Sequence, residues 1–396
     1  MINKKLEGNI IIAINNMRKI MDMFLGPFLT AYFIKTSKDS INSLSIYYIF
    51  SYLILAIITY FVATIIKNKF RIGMFRIGVI LNFIYILTII ILNKNMVNHL
   101  GLISILYGLS AAVYWFPYNL FVINKVDNND RTNFTVKLQT ISSITGIVCP
   151  LILGSMISAT NYQLTAIVVL IISLIQIILS FVLSKDEKSY YPKFDIIKTM
   201  KKIKHNYQIN NMSIVEFLIG MNASSGALEI LRTILIFNAF KTNLNLGIIT
   251  SIMTIISMIF IRIYGRFYKG KNDKNIILVA SVVPFLSLIL LLIYRNPISI
   301  VIYNMCFVVF TSILNLVREI RLYNIADSKI IDKYNQCEYF VIREFILNIG
   351  RITSFILLLI ASMSGSELFL NMILIFLTLS ILLMGLFLRK IDKFEK

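Results

Sequence analysis

The stretch Glu338–Arg351, EYFVIREFILNIGR, opens a run of about 24 mostly apolar residues ending near Ser362, long enough to cross a bilayer as a helix. It nevertheless carries Arg343, Glu344, Asn348 and Arg351. Glu344, Asn348 and Arg351 recur at i, i+4 and i+7, so they share one helical face. A charge at membrane depth costs at least ~2.5–3.5 kcal/mol unless it faces protein or water. This helix must therefore have a polar neighbour.

The rest of the chain repeats the apolar theme. Of 396 residues, 58% are hydrophobic and 15% charged, more apolar surface than a soluble protein of this length can hide. Runs of about 20 apolar residues fall at 10–34, 44–66, 72–92, 100–124, 137–158 and 163–183. A second set falls at 212–238, 246–264, 275–294, 297–324, 339–362 and 367–388. The reading is an all-α integral membrane protein of twelve transmembrane helices in two six-helix bundles, residues 1–183 and 212–396. Residues 184–211 link them as a basic cytoplasmic segment.

Charge placement gives the orientation. With both termini cytoplasmic, about 28 of the 39 lysines and arginines lie on the inner side. The outer loops hold Lys35, Lys38, Lys94, Lys241 and Arg295; Arg76, Lys137, Arg318 and Arg321, near inner ends of spans, count with the inner side, and the remaining six (Arg18, Lys19, Arg232, Arg262, Arg343, Arg351) lie inside spans. The net charge of +20 thus reflects topology and contact with anionic lipids of the cytoplasmic leaflet, not nucleic acid. In the linker, FDIIKTMKKIKHNYQI (194–209) alternates apolar residues and lysines helically, which predicts an amphipathic helix on the membrane surface. Cys149, Cys306 and Cys337 sit in or beside apolar runs and imply no disulfide framework. With only His99 and His205, neither a metal site nor a His-dependent membrane enzyme is expected, and no cofactor is implied. No cleavable signal peptide is expected, because the first apolar run is long and studded with polar residues.

Two sets of six helices, inner termini, a long basic central loop and charged loops after helices 2 and 8 resemble the major facilitator superfamily. The inner loops YNLFVINKVDNNDRTNF and REIRLYNIADSKIIDKYNQCEYF echo each other, as duplicated transporter halves do. The superfamily's signature after helix 2 survives as Lys67, Lys69, Arg71 and Arg76, without its aspartate. GIVCPLILG, with Gly146, Pro150 and Gly154, is similar to the Gly-Pro motif of proton-coupled exporters, with Cys149 where a glycine precedes the proline. The resemblance implies that helices 1, 4, 7 and 10 line a cavity and that 3, 6, 9 and 12 face lipid. The polar residues agree: the last four carry no charge within their spans apart from Arg76 near an inner end and Glu367 at the very start of the twelfth.

Candidate substrate- and proton-binding residues follow from the buried stripes. Helix 1 offers Asn15, Arg18 and Asp22. Helix 7 offers Asn222, Ser225, Glu229 and Arg232, with a local Glu229–Arg232 ion pair as the plainer alternative. Helix 4 stacks Tyr107, Tyr114 and Tyr118 beside Trp115. Helix 10 aligns Asn304, Thr311, Asn315 and Arg318, and helix 11 presents Glu344, Asn348 and Arg351. Arg318, Glu319, Arg321 and Arg343 are candidates for an inner gate. At ~1.5 Å rise per residue, Asp22 and Arg351 lie at matching depths, as do Arg18 and Glu344 roughly, suggesting two cross-cavity pairs. A carboxylate such as Asp22 or Glu229 would carry a proton against a small organic or amphipathic substrate, giving a proton-coupled exporter that works as a monomer in the cell membrane. The alternatives are an importer or facilitator of a sugar, peptide or other nutrient, and a lipid or lipid-linked-sugar flippase. GRFYKGKN resembles a phosphate loop, but it follows a membrane helix and has Asn272 where Ser or Thr is needed. The triplets at Asn133, Asn211 and Asn222 lie inside on this topology and mean nothing for glycosylation.

Overall fold

The computed structural model describes residues 4–391 apart from 38–39, 68–70, 126–127, 185–192, 223–225, 268–272, 327–330 and 332–334. Every regular element among the described residues is helical. Ten stretches are long and apolar enough to cross a membrane, two of which run through a break or turn between helices. The chain divides into two compact units, Met1–Phe194 with Thr242–Ser251, and Asp195–Lys241 with Ile252–Lys396.

The first unit begins with α1 (Lys4–Met23), a π turn (Phe24–Phe28) and α2 (Leu29–Thr36). Pro27 lies inside the π turn. Proline has no N–H to donate and its ring crowds the preceding turn, so the ladder shifts register there. Then come α3 (Ser40–Ile66), α4 (Arg71–Leu92), a 3-10 segment (Asn93–His99) and α5 (Leu100–Lys125). The unit continues with α6 (Asn128–Ala159) and α7 (Tyr162–Val182). α5 packs on both α3 and α4, and α1 lies against α6 and α7.

The second unit holds α8 (Ile196–Ile203), α9 (Tyr207–Asn222) and α10 (Ala227–Phe240). It also holds most of α11 (Asn243–Phe267), then α12 (Asp273–Ile293), α13 (Pro297–Ala326), α14 (Gln336–Met363) and α15 (Glu367–Arg389). α9 packs between α14 and α15, and α12 between α13 and α15.

Burial sorts these helices. In Tyr207–Phe240, 80% of the most apolar window is buried, against 33% in Tyr162–Val182. The outward face of α7 is Leu164, Ile167, Ile171, Leu174, Ile178 and Phe181, all exposed, as a hydrocarbon solvent requires. Inward it turns Ser173, Gln176 and Ser180.

Three expectations about elements need correction. The seventh span starts at Tyr207 instead of 212, because Asn206 accepts hydrogen bonds from the N–H groups of Gln208 and Ile209 and caps the helix there. Asn211 is therefore buried inside α9 rather than in a linker. That span is also interrupted, since Gly226 is extended and α10 starts after it. The amphipathic helix expected over 194–209 is only the eight residues of α8, cut short by the cap of α9. The echoing loops, Lys69, Ser225 and the glycine-rich stretch 265–272 fall largely on residues or side chains outside those described.

Candidate functional site

In the first unit the polar stripe of α1 is built around Arg18, which is fully buried. Its Nε donates to Asp22 Oδ1 at 2.9 Å, one turn further along the same helix. The guanidinium lies 5.0 Å from the centre of the Tyr114 ring and 6.0 Å from that of Trp115. A cation over an aromatic face gains ~2 kcal/mol when desolvated, which offsets part of the cost of burying Arg18. Tyr114 and Tyr118 stack nearly parallel, 5.8 Å apart at 8°, and Trp115 meets both edge-on. The Asp22 side chain remains 35% exposed, so of this pair it is the carboxylate that a ligand or proton can reach. Asn15 Oδ1 and Arg18 Nη1 are buried and take no hydrogen bond among the described residues.

Two neighbours were not among the candidate site residues. Asn16 is buried, and its Oδ1 accepts from Ser142 and Thr145 hydroxyls of α6. Lys19 Nζ donates to the Ser142 carbonyl at 2.5 Å. Together they join α1 to α6 through polar groups at membrane depth. Tyr107, expected to continue the helix 4 stack, belongs elsewhere. It lies against Tyr47, Tyr48, Tyr52 and Tyr85, where the Tyr47 and Tyr85 hydroxyls share a hydrogen bond.

The second unit repeats the motif of a buried arginine laid on a ring. Arg232, on α10, donates from Nε to Asn304 Oδ1 at 2.9 Å and sits 3.8 Å above the Phe307 ring, both on α13. Arg232 thus bonds to a neighbouring helix while its charge also interacts with that of Glu229, as the i, i+3 spacing offered. Glu229 Oε2 is buried and accepts no hydrogen bond among the described residues. It stands in the first turn of α10, just past the break. The break is fastened on both sides: Asn222 Nδ2 donates to Ser380 Oγ, and the Ala227 N–H to Ser354 Oγ. Asn315 is half-buried on α13.

A third constellation centres on Glu216, which the sequence reading did not single out. Its carboxylate, 1% exposed, receives Arg318 Nη1 at 3.0 and 3.2 Å and Arg343 Nε at 2.9 Å. Arg343 also reaches Glu344 at 2.9 Å, and Asn348 Oδ1 accepts from Arg351 Nη1 at 2.9 Å. The four gate candidates thus separate. Arg318 and Arg343 converge on Glu216, Glu319 is an exposed neighbour 3.6 Å from Arg318, and Arg321 instead donates to the Leu388 carbonyl near the end of α15. The convergence depends on a close approach of α9 and α14. A Cβ on Gly220 would lie 2.2 Å from the Leu347 oxygen, and one on Gly350 2.1 Å from the Phe217 oxygen.

Residues 13–320 match the sequence pattern described as the Major Facilitator Superfamily. The chain belongs to this superfamily of membrane transporters. It is also similar to an uncharacterized protein, YqgE, of Bacillus subtilis (strain 168), 25% identical over 309 residues, or 76% of this chain and 71% of that protein.

The two superfamily-like motifs can then be read from their contacts. Two of the basic residues after α3, Arg71 and Arg76, cap helices. Arg71 donates to the Ile66 and Lys67 carbonyls at the end of α3. Arg76 donates to the Ser180 and Leu183 carbonyls at the end of α7 and lies over Phe181. Cations at helix C-termini satisfy orphan carbonyls and oppose the negative end of the dipole. In the Gly-Pro stretch of α6, Gly154 and the Pro150 carbonyl form a close backbone contact with Gly247 at the start of α11.

Proposed function

We propose that this superfamily member is a secondary active transporter with twelve spans and cytoplasmic termini. In this reading it exports a small organic or amphipathic compound across the cell membrane in exchange for protons, by alternating access. Twelve spans follow if α4 and α5 count separately, if α9 with α10 counts as one, and if α1 with α2 forms the first. No covalent chemistry is assigned to any residue.

The observation that carries this reading is that the first spanning segment of each unit is interrupted beside an acidic residue. The π turn Phe24–Phe28 follows Asp22, and the extended Gly226 precedes Glu229. Paired interruptions of this kind are the usual place for substrate and ion handling in transporters with repeated halves. Asp22 is the reachable member of its ion pair, and Glu229 has a carboxylate oxygen without a hydrogen bond among the described residues. A carboxyl group so placed is suited to take up and release a proton. Trp115 and the stacked tyrosines supply an aromatic surface for the apolar part of a substrate.

The test is reconstitution in liposomes loaded with a pH-sensitive dye, screening pooled compounds under an imposed proton gradient. Substrate-dependent proton flux that falls at least tenfold in Asp22→Asn or Glu229→Gln is expected. Substrate movement without proton flux would overturn the coupling. Leaflet exchange of fluorescent lipids, with neither of the other signals, would replace the exporter with a flippase.

A further inference from the structure

The helix α8 is fixed along one side and open along another. Its N-terminal residue Asp195 donates its N–H to the buried Glu338 carboxylate of α14 at 3.1 Å, and Asp195 Oδ1 accepts the Lys198 N–H. Thr199 and Ile203 are buried, and the helix packs on α14. At about 3.6 residues per turn, three sectors follow one another around the axis. Ile196, Thr199 and Ile203 face α14. Next come Met200 and Ile197, which are 51% and 64% exposed. Lys198, Lys201 and Lys202 fill the third sector, and Lys204, which ends the helix, lies between Ile197 and Met200 around the axis; all four are exposed.

An exposed apolar pair with lysines along one flank and at its C-terminal end is the pattern of a helix lying in a membrane interface. Two exposed apolar side chains fall far short of the ~20–30 residues a side that a stable protein interface uses. Between 195 and 206, Asp195 is the one acidic residue, and its carboxylate already caps the helix. We infer that α8 is a docking element for anionic lipid headgroups, with Met200 and Ile197 dipping into the headgroup layer and Lys198, Lys201 and Lys204 paired with lipid phosphates. This inference requires neither the substrate nor the transport direction to be known.

The test uses the full chain, its native cysteines replaced by alanine, with a nitroxide at Met200→Cys. It is reconstituted in phosphatidylcholine alone or mixed equally with phosphatidylglycerol. With phosphatidylglycerol, collisions with lipid-soluble oxygen should exceed those with a water-soluble nickel complex, and the order should reverse in phosphatidylcholine. Lys198→Gln, Lys201→Gln and Lys204→Gln should each lower the docked fraction about fivefold, the equivalent of ~1 kcal/mol per charge near the surface. High salt should do the same without any substitution. A label exposed to water in both bilayers overturns the inference. So does one embedded equally in both, which would mean apolar insertion without recognition of charge.

Discussion

Glu216 receives two arginines that come from different helices, and its own surroundings exclude water. Removing one member of a buried ionic group is far costlier than replacing the whole group, since the remaining charge keeps its desolvation penalty without its partner. Glu216→Ala should therefore lower stability by about 3–5 kcal/mol, and Glu216→Gln by less. Thermal unfolding in detergent would measure this, and an unchanged midpoint for Glu216→Ala would show the cluster to be slack. Adding Arg343→Met to Glu216→Gln should recover part of the loss, a coupling that independent sites would not show. Such a carboxylate was visible in the sequence as the one acid within MSIVEFLIG. Its partners were not. Arg318 invites grouping with Glu319 and Arg321 because they are neighbours in sequence, yet one reaches α9 and another α15. Likewise Arg18, Asp22 and Glu229 stood out as charges in apolar runs, whereas Asn16 and Lys19 acquire meaning only once α6 lies alongside.

At the scale of helices, the contact between α9 and α14 is backbone against backbone. Gly220→Ala or Gly350→Ala would place a Cβ within 2.2 Å of a carbonyl oxygen of the opposite helix. A main-chain oxygen cannot rotate aside, so the helices must part, at a cost of ~1–3 kcal/mol typical of overpacking. Gly26→Ala is the matched control, for its Cβ would meet nothing within 4 Å. Size-exclusion recovery and melting temperature should fall for the first two variants and hold for the third. If Gly220→Ala behaved like Gly26→Ala, the close approach would not be what positions Glu216. Hydropathy located the spanning helices well, since burial in hydrocarbon is written in composition. It located their ends poorly. The start of α9 is set by a cap at Asn206, and α6 begins at Asn128, nine residues before its apolar run. The interruption at Gly226 was likewise hidden, because Asn222 and Glu229 read as one stripe on a continuous helix.

At the scale of the whole molecule, the family match over residues 13–320 agrees with what the apolar runs and their charges suggested about the class of protein. What it leaves to measurement is which loops meet which side. The excess of lysine and arginine in alternate loops sets orientation because cationic segments resist translocation. Lys94, exposed in the 3-10 segment, should then face outward, and Lys274, exposed at the start of α12, should face the cytoplasm. In intact cells, a membrane-impermeant maleimide should label Lys94→Cys and leave Lys274→Cys untouched until the membrane is permeabilised. The native cysteines provide the background, Cys337 being buried and Cys149 and Cys306 half-buried. The opposite labelling would invert the molecule and move α8 away from the anionic cytoplasmic leaflet. Labelling of both positions from outside would require an even number of crossings between 94 and 274, where twelve spans place an odd number, and the twelve-span topology would fall with it.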